Sequence, residues 1–190
     1  FAMENSLSGL EFAHGIPGSL GGGVVMNAGA YDGEMKDVIK SVRLLDENFH
    51  VIEVPCQDMN FSYRHSLVQD RDLVVLGATF SLSQGNKDDI KEKYEEFDRR
   101  RAEKQPLDMP SAGSTFKRPS GYFAGKLIDD SGLRGFTHNG AGISEKHCGF
   151  VVNKDKATAR DVLETIEIVQ KVVHDKFGVN LEREVKIIGD

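Results

Sequence analysis

Residues 15–33 read GIPGSLGGGVVMNAGAYDG and hold seven of the 20 glycines of the chain. Glycine has no Cβ, so backbone this rich in glycine can approach a ligand closely. A Gly-Ser turn that leads into a short apolar segment of helical character presents free N–H groups, which suit a phosphate or pyrophosphate. The spacing matches neither the GxGxxG fingerprint of a Rossmann fold nor a P-loop. The segment therefore predicts a dinucleotide cradle of another type, and the alternative is that its glycines serve only turns and close packing.

The composition is that of an ordinary soluble globular protein of one or two domains. The 190 residues are 39% hydrophobic and 28% charged, and no apolar run approaches the ~20 residues that span a membrane. The formal net charge is −6 and the basic residues are dispersed, whereas binding to nucleic acid needs a clustered positive face. We therefore expect neither a nucleic acid nor a membrane as partner, and we expect a monomer.

The two cysteines and the first residue of the chain lead to further expectations. Cys56 and Cys148 lie far apart, without the spacing of a zinc site or the density of a disulfide framework. The small number and wide spacing of the cysteines predict a protein of the reducing cytoplasm with no metal site.

The chain begins with Phe1 and reaches its glycine-rich segment soon afterwards, which is typical of the middle and end of a longer protein.

Alternating apolar residues predict β-structure in the first half of the chain. Residues 42–44 alternate in polarity, a turn signal follows at 46–48, and Phe49 begins the predicted partner strand of a hairpin. Residues 73–82, LVVLGATFSL, predict a further strand that is apolar enough to be buried.

A charged helix and a stiff linker follow these strands. Residues 87–104 have apolar side chains at helical spacing and must leave the helical conformation before Pro106. Two prolines stiffen residues 105–110, and the predicted domain boundary lies next to them. The predicted domains are residues 1–103 and residues 104–190.

The second half of the chain predicts an α/β unit. Its predicted elements are helices over residues 122–130 and 158–177 and strands over residues 149–153 and 182–188. The second helix carries the strongest signals, because Thr158 and Asp161 approximate a capping box. Gly178 is the expected C-terminal stop of this helix.

Two segments carry residue types that suit chemistry. In residues 61–66, FSYRHS, a guanidinium beside a phenol suits the bidentate capture of a carboxylate, although a surface Tyr-Arg pair is the commoner explanation. In residues 111–119, SAGSTFKRP, Ser114 follows a glycine and precedes two cations. No GxSxG elbow is present, so Ser114 is a candidate proton donor, a phosphate ligand or the serine of an ST-turn.

Two further candidates have weaker signals. His147 ends the segment GAGISEKH, and a histidine without a visible partner is more often structural than catalytic. Glu184 lies beside Val185 in the predicted final strand, where a carboxylate usually points to solvent. The residue pattern alone therefore favours a structural role for both.

Five stretches, taken in order, carry a resemblance to a known family. They are SGLEFAHGIPGSLGGGVVMNAGAY, FSYRHS, SAGSTFKRPSGYFAGKLIDDSGLRG, GAGISEKHCGFVVN and LEREVKIIG. Together they span nearly the whole chain and follow the order in which the family carries them. They resemble the UDP-N-acetylenolpyruvoylglucosamine reductase (MurB) family of peptidoglycan synthesis. The chain lacks a tyrosine-bearing insertion between Tyr63 and Ser114, which is similar to the shorter, type II branch.

The resemblance implies a flavoenzyme of mixed α+β and α/β fold. Residues 1–103 would be the C-terminal part of a PCMH-type FAD-binding domain, and residues 104–190 a small α/β domain that binds a UDP-sugar. NADPH would reduce FAD, which would pass hydride to the enolpyruvyl group of UDP-N-acetylglucosamine enolpyruvate and so yield UDP-N-acetylmuramate. The cofactor-binding residues implied are Gly18, Ser19, Gly22, Gly23, Asn27 and Gly29.

The resemblance also implies a catalytic set. Arg64 and Glu184 match residues that polarise the substrate carboxylate and stabilise the intermediate, and Ser114 matches the proton donor to C2. Glu184 would be protonated or bridged to a cation, because a bare carboxylate repels the developing charge. The substrate-binding residues implied are Tyr63, Lys104, Lys117 and Arg134.

The chain departs from the family pattern in two ways. Arg118 stands where some relatives have asparagine, and the first part of the FAD-binding domain is not matched. We therefore expect this chain to bind FAD weakly or not at all. The alternatives are another flavin oxidoreductase of the same fold and a non-catalytic fragment that binds a UDP-sugar.

Overall fold

The computed structural model describes residues 1–189, and it divides the chain into two compact units. The first unit is Phe1–Arg100 and the second begins at Arg101. The predicted boundary after residue 103 and the observed division both fall within the helix Lys87–Lys104. The assignment of the units to FAD and to a UDP-sugar stays a prediction.

The first unit is built mainly from short strands. Its elements in chain order are β1 (Leu7–Ser8), α1 (Leu20–Val25), β2 (Gly29–Ala30), β3 (Gly33–Glu34), α2 (Met35–Val38), β4 (Ile39–Leu45), β5 (Val51–Pro55), β6 (Val74–Phe80) and β7 (Ser83–Gln84), and the helix α3 (Lys87–Lys104) begins here. Strands β5, β4 and β6 form a three-stranded antiparallel sheet in that order. Strands β1 and β7 form one antiparallel pair, and β2 and β3 form another.

The central strand β4 explains how this sheet holds its core. Val42 and Leu44 are fully buried, whereas Arg43 between them is exposed, so the predicted alternation is confirmed. Leu44 lies opposite Ile52 of β5 and Val75 of β6. One face of β4 therefore packs into an apolar cluster that also includes Phe12, Val24, Met35 and Met59.

Two details of the predicted sheet are wrong. Phe49 does not belong to β5: it lies in the turn with φ +62° and is 83% exposed, because the chain reverses at residues 46–50. The strand β6 is not buried throughout, since Val74 and Leu76 are exposed. Strand β6 is an edge strand, and its alternate side chains point away from the core.

The second unit is an α/β unit, as predicted. Its elements after α3 are β8 (Ser111–Ser114), α4 (Ala124–Asp130), β9 (Thr137–His138), β10 (Ala141–Ile143), β11 (Phe150–Asn153) and α5 (Ala159–Phe177). The four strands form an antiparallel sheet in the order β8-β11-β10-β9. Ile128, Ile143, Ile166, Val169 and Val173 lie in the apolar core that α4 and α5 share with this sheet.

The helices of the chain follow their sequence signals closely. The predicted charged helix is α3, and α5 begins after Thr158, whose Oγ1 accepts a hydrogen bond from the Asp161 nitrogen at 3.2 Å. The Asp161 carboxylate accepts from the Thr158 nitrogen at 2.8 Å, which completes the predicted capping box. Gly178 ends α5 with φ +68°. Across residues 1–189, no helix combines the length and the apolar character needed to cross a bilayer.

The predicted final strand over residues 182–188 does not form. The backbone there makes a single antiparallel bridge between Arg183 and Phe116. Residues on either side of Arg183 still donate to or accept from the backbone around Phe116. The segment is therefore held beside β8 without becoming a regular strand.

Candidate functional site

The glycine-rich segment has one open part. A Cβ added at Gly18 would meet no atom within 4 Å, and its φ of +128° is one that favours glycine. Ser19 caps α1, since its Oγ accepts a hydrogen bond from the Gly22 nitrogen at 3.1 Å. A Cβ at Gly22 would meet only this Oγ, at 3.5 Å. Three predicted cofactor residues, Gly18, Ser19 and Gly22, thus border backbone that a ligand can approach.

The other two predicted glycines lie close to neighbouring residues. A Cβ at Gly23 would lie 3.1 Å from Cε of Met35. At Gly29 it would lie 2.8 Å from Cβ of Glu34 and 2.8 Å from the carbonyl oxygen of Gly33. Gly23 therefore allows close packing against Met35, and Gly29 allows close packing against Gly33 and Glu34.

Asn27 ties the glycine-rich segment to its surroundings. The residue is fully buried and has φ +40°. Its Nδ2 donates to Oε2 of Glu34 at 2.6 Å and to the carbonyl oxygen of Ser62 at 3.1 Å. Its Oδ1 accepts from the Lys36 nitrogen at 2.9 Å. Both hydrogens of Nδ2 are used in these bonds, so a cofactor oxygen that accepts from Nδ2 would have to replace one of them.

Tyr63 and Arg64 form the tip of a tight turn against the same segment. The backbones of Ser62 and His65 exchange two hydrogen bonds of 3.2 Å, which closes the turn. Nη2 of Arg64 donates to the carbonyl oxygen of Gly29 at 3.2 Å. The Arg64 guanidinium lies 4.9 Å from the centre of the Tyr63 ring, and the Tyr63 side chain is half exposed. The structure therefore brings Arg64 and Tyr63 together with Gly29.

In the second unit, Ser114 is the last residue of β8. It is exposed, lies opposite Phe150 of β11, and follows Gly113, whose φ is +85°. The end of β8 therefore exposes Ser114, whose role as a proton donor or a ligand stays a prediction.

Thr115 joins Ser114 to Glu184. The Thr115 nitrogen donates to the carbonyl oxygen of Gly149 at 2.8 Å, and the Thr115 carbonyl oxygen accepts from the Glu184 nitrogen at 2.9 Å. The buried Thr115 Oγ1 also accepts from the Val151 nitrogen at 3.0 Å. Glu184 is half-buried, and the direction of its side chain, which the sequence pattern placed towards solvent, stays a prediction. Because Thr115 and Glu184 lie far apart in the sequence, no local pattern could predict the hydrogen bond between them.

Two cations near Ser114 already have partners. The Lys117 ammonium forms an ion pair with Glu182, and the Lys117 nitrogen donates to the Glu182 carbonyl oxygen at 2.9 Å. The Arg118 guanidinium lies 4.0 Å from the centre of the exposed Phe123 ring. Both cations are thus held beside β8.

The two remaining basic residues that we predict to bind the substrate, Arg134 and Lys104, have different surroundings. Arg134 makes a two-point ion pair with Asp129, at 2.8 Å and 2.6 Å, and also donates to the Glu145 carbonyl oxygen. These hydrogen bonds lower the pKa of the Asp129 carboxyl. Lys104 is the last residue of α3 and is exposed. Arg134 is therefore oriented by its own carboxylate partner, whereas Lys104 lies at a helix end.

His147 has a structural setting, as the pattern favoured. Burial lowers its pKa, so the ring is neutral at physiological pH. Nδ1 accepts a hydrogen bond from the Gly149 nitrogen at 3.1 Å, and the ring meets the Phe150 ring edge-on at 4.9 Å between centres. These contacts support the end of β11 that lies opposite Ser114.

Comparison with known proteins gives consistent results. Residues 105–188 match a family described as "UDP-N-acetylenolpyruvoylglucosamine reductase, C-terminal domain". A UDP-N-acetylenolpyruvoylglucosamine reductase of Caldanaerobacter subterraneus subsp. tengcongensis is 57% identical over 189 residues, which cover 100% of this chain and 63% of the relative. The reductase of Lachnoclostridium phytofermentans is 56% identical, and the match covers 62% of its length. The chain thus spans less than two thirds of these curated relatives.

A solved structure is similar as well. The crystal structure of UDP-N-acetylenolpyruvylglucosamine reductase (MurB) from Thermus caldophilus matches with a TM-score of 0.87 and 37% sequence identity. The match covers 97% of this chain and 66% of that chain.

Proposed function

Because this chain belongs to the UDP-N-acetylenolpyruvoylglucosamine reductase family, we propose that it carries the reduction of UDP-N-acetylglucosamine enolpyruvate to UDP-N-acetylmuramate. This is a step of peptidoglycan precursor synthesis, with NADPH as the reductant. The observation that supports it best is the hydrogen bond from the Glu184 nitrogen to the carbonyl oxygen of Thr115, the residue next to Ser114. The backbone segments that carry two residues of the implied catalytic set are thereby joined, although they lie far apart in the sequence.

The residues of the glycine-rich segment fit FAD. Gly18 and Gly22 leave backbone that a ligand can approach, while Gly23 and Gly29 allow the segment to pack closely against its neighbours. When bound, FAD reduced by NADPH would supply a hydride to C3 of the enolpyruvyl group. The part played by the protein is to hold the substrate and to manage the charge and the proton that this transfer requires.

Arg64 binds the carboxylate of the enolpyruvyl group. A planar guanidinium matches a carboxylate with two parallel hydrogen bonds. When C3 has gained a hydride, negative charge at C2 spreads into this carboxylate, and the cation stabilises it. The hydrogen bond to Gly29 and the contact with Tyr63 keep the guanidinium on the turn.

Ser114 donates the proton that completes the reduction. Its exposed hydroxyl gives a proton to C2, so the C=C bond of the substrate becomes a C–C bond with one new hydrogen on each carbon. Glu184, protonated or bridged to a cation, stabilises the charge before the proton arrives.

Tyr63, Lys104, Lys117 and Arg134 hold the UDP-sugar. The cations offset the charge of its diphosphate, and Arg134 presents its guanidinium in the plane fixed by Asp129. A diphosphate at Arg134 would compete with Asp129 for the same donors.

The test uses a hybrid enzyme, in which this chain is joined to the part of the Caldanaerobacter reductase that it does not match. Its flavin is reduced with NADPH without oxygen, and UDP-N-acetylglucosamine enolpyruvate is then added in a stopped-flow instrument. We expect the substrate to reoxidise the flavin and UDP-N-acetylmuramate to form in equal amount. Reoxidation by oxygen alone would indicate another flavin oxidoreductase, and substrate binding without reoxidation would indicate a non-catalytic module.

A further inference from the structure

The backbone of Arg64 adopts an uncommon conformation. Its φ is +57°, in the left-handed region that residues with a Cβ seldom occupy. Such a conformation persists only where neighbouring contacts hold it. The groups that hold the Arg64 backbone therefore also fix where its side chain begins.

The side-chain amide of Gln69 holds that backbone. Its Nε2 donates to the Arg64 carbonyl oxygen at 3.0 Å and to the Val25 carbonyl oxygen at 2.8 Å. An amide nitrogen carries two hydrogens, so one group can make both bonds. Gln69 thus links the Arg64 turn to Val25, the last residue of α1.

A second side chain strengthens the same link. Ser66 is fully buried, and its Oγ donates to the Val25 carbonyl oxygen at 2.8 Å. The last carbonyl groups of a helix have no hydrogen-bond donor within the helix, so side chains from outside it can supply the missing donors. Two donors at Val25 and one at Arg64 therefore join the turn to the end of α1.

We propose that Gln69 is a positioning residue for Arg64: its amide fixes the backbone from which the guanidinium reaches the substrate carboxylate. This inference rests on the proposed function of Arg64. Gln69 touches neither the reacting carbons nor the carboxylate, and it acts only through the turn.

The test is a double-mutant cycle in the hybrid enzyme. Gln69→Met keeps the volume of the side chain and removes both donors. We expect it to slow flavin reoxidation by the enolpyruvyl substrate about 10- to 100-fold, because small displacements of a positioned group cost rate steeply. Flavin reduction by NADPH should change less than about twofold. A change this small is what substitutions at independent sites cause, so it would show that Gln69 does not act on flavin reduction. Gln57→Met, at an exposed glutamine of the same unit, should leave both rates unchanged.

The cycle separates positioning from a general loss of structure. In an Arg64→Ala background, Gln69→Met should cause no further loss of rate, since its effect passes through Arg64. A loss of the same size in both backgrounds would overturn the proposal. Gln69→Asn, which keeps the donors but is too short to reach both oxygens, replaces Gln69→Met if that variant does not fold, with the same expected result.

A second measurement is independent of activity. In the 190-residue chain, the heteronuclear NOE of the Arg64 backbone amide should fall in Gln69→Met and stay unchanged in Gln57→Met. If the wild-type hybrid enzyme does not use the substrate, the proposed function fails, and this measurement still decides the positioning. An unchanged NOE at Arg64 would refute the role of Gln69.

Discussion

The main-chain nitrogen of Glu184 donates a hydrogen bond of 2.9 Å to the carbonyl oxygen of Thr115. This bond runs between backbone atoms, so a substitution of the Glu184 side chain leaves both of its atoms in place. The side chains of Ser114 and Glu184 are therefore suitable for substitution experiments that test chemistry separately from folding.

Ser114→Ala should separate the two halves of the reaction in the hybrid enzyme. Flavin reduction by NADPH should stay near the wild-type rate, while reoxidation by the enolpyruvyl substrate should slow ~10²- to 10⁴-fold, as for the loss of a general acid. Rapid-mixing absorbance of the flavin measures both. Ser111→Ala, at the other end of β8, is the matched control. Equal slowing of both halves would mean that Ser114 acts in folding or in placing the flavin.

Glu184→Gln should be milder than Glu184→Ala if the working carboxyl group is protonated. The amide keeps a hydrogen-bond donor for the developing charge, whereas alanine leaves none. The rate of substrate-dependent flavin reoxidation measures the difference. Glu167→Gln, at an exposed position of α5, should have no effect on that rate. If glutamine and alanine are equally damaging at position 184, the protonated form is not the one that works.

FAD affinity should distinguish this chain from the hybrid enzyme. The open backbone at Gly18 and Gly22 offers only part of a cradle, and the chain spans 63% of the Caldanaerobacter relative. We expect weak binding or none in the 190-residue chain and tight binding in the hybrid, as measured by quenching of flavin fluorescence. Stoichiometric flavin that stays with the 190-residue chain through gel filtration would contradict this expectation.

Thr158→Ala should destabilise the second unit by about 1 kcal/mol, within the range found for lost N-caps. The substitution removes the hydroxyl that accepts a hydrogen bond from the Asp161 nitrogen, so this N–H group loses its side-chain acceptor. Urea unfolding followed by circular dichroism measures the loss. Thr158→Ser keeps the hydroxyl and should retain most of the stability, so an equal loss in both variants would exclude capping as the cause.

The Asp129–Arg134 pair should make stability depend on pH. The hydrogen bonds from Arg134 lower the pKa of Asp129 from its ordinary 3.8, so the ion pair stabilises the fold above that pH. The contribution disappears as the pH falls through the lowered value. Asp129→Asn should therefore reduce the unfolding temperature at neutral pH and lose its effect in strong acid, whereas Asp108→Asn, at an exposed position, should have little effect at either pH. A constant difference at all pH values would rule out the ion pair as its source.

The features that the sequence predicted well are those with local causes. The capping box of Thr158 and Asp161 and the glycine at 178 set the ends of α5, and the alternation around Val42 and Leu44 set the buried face of β4. These patterns arise from bonds and spacings within a few residues, so they are visible in the sequence itself.

The features that the sequence did not predict depend on distant residues. Gln69 reaches Val25, and Thr115 joins Glu184, and neither hydrogen bond leaves a pattern in the residues around its two ends. The regular strand expected around Glu184 gives way to a single bridge at Arg183. The sequence named Arg64, Ser114 and Glu184 by resemblance, whereas the residues that hold them required the folded chain.

The length of helix α1 is constrained, because both of its ends are held by hydrogen bonds to side chains. Its first turn is capped by Ser19, and the carbonyl of its last residue, Val25, holds Ser66 and Gln69. One inserted or deleted residue would rotate the far end of the helix by about 100° relative to its start. Such a rotation would turn the Val25 carbonyl away from both donors while leaving the cap in place. Substitutions within α1 are therefore tolerable where volume allows, but insertions and deletions there should detach the Arg64 turn.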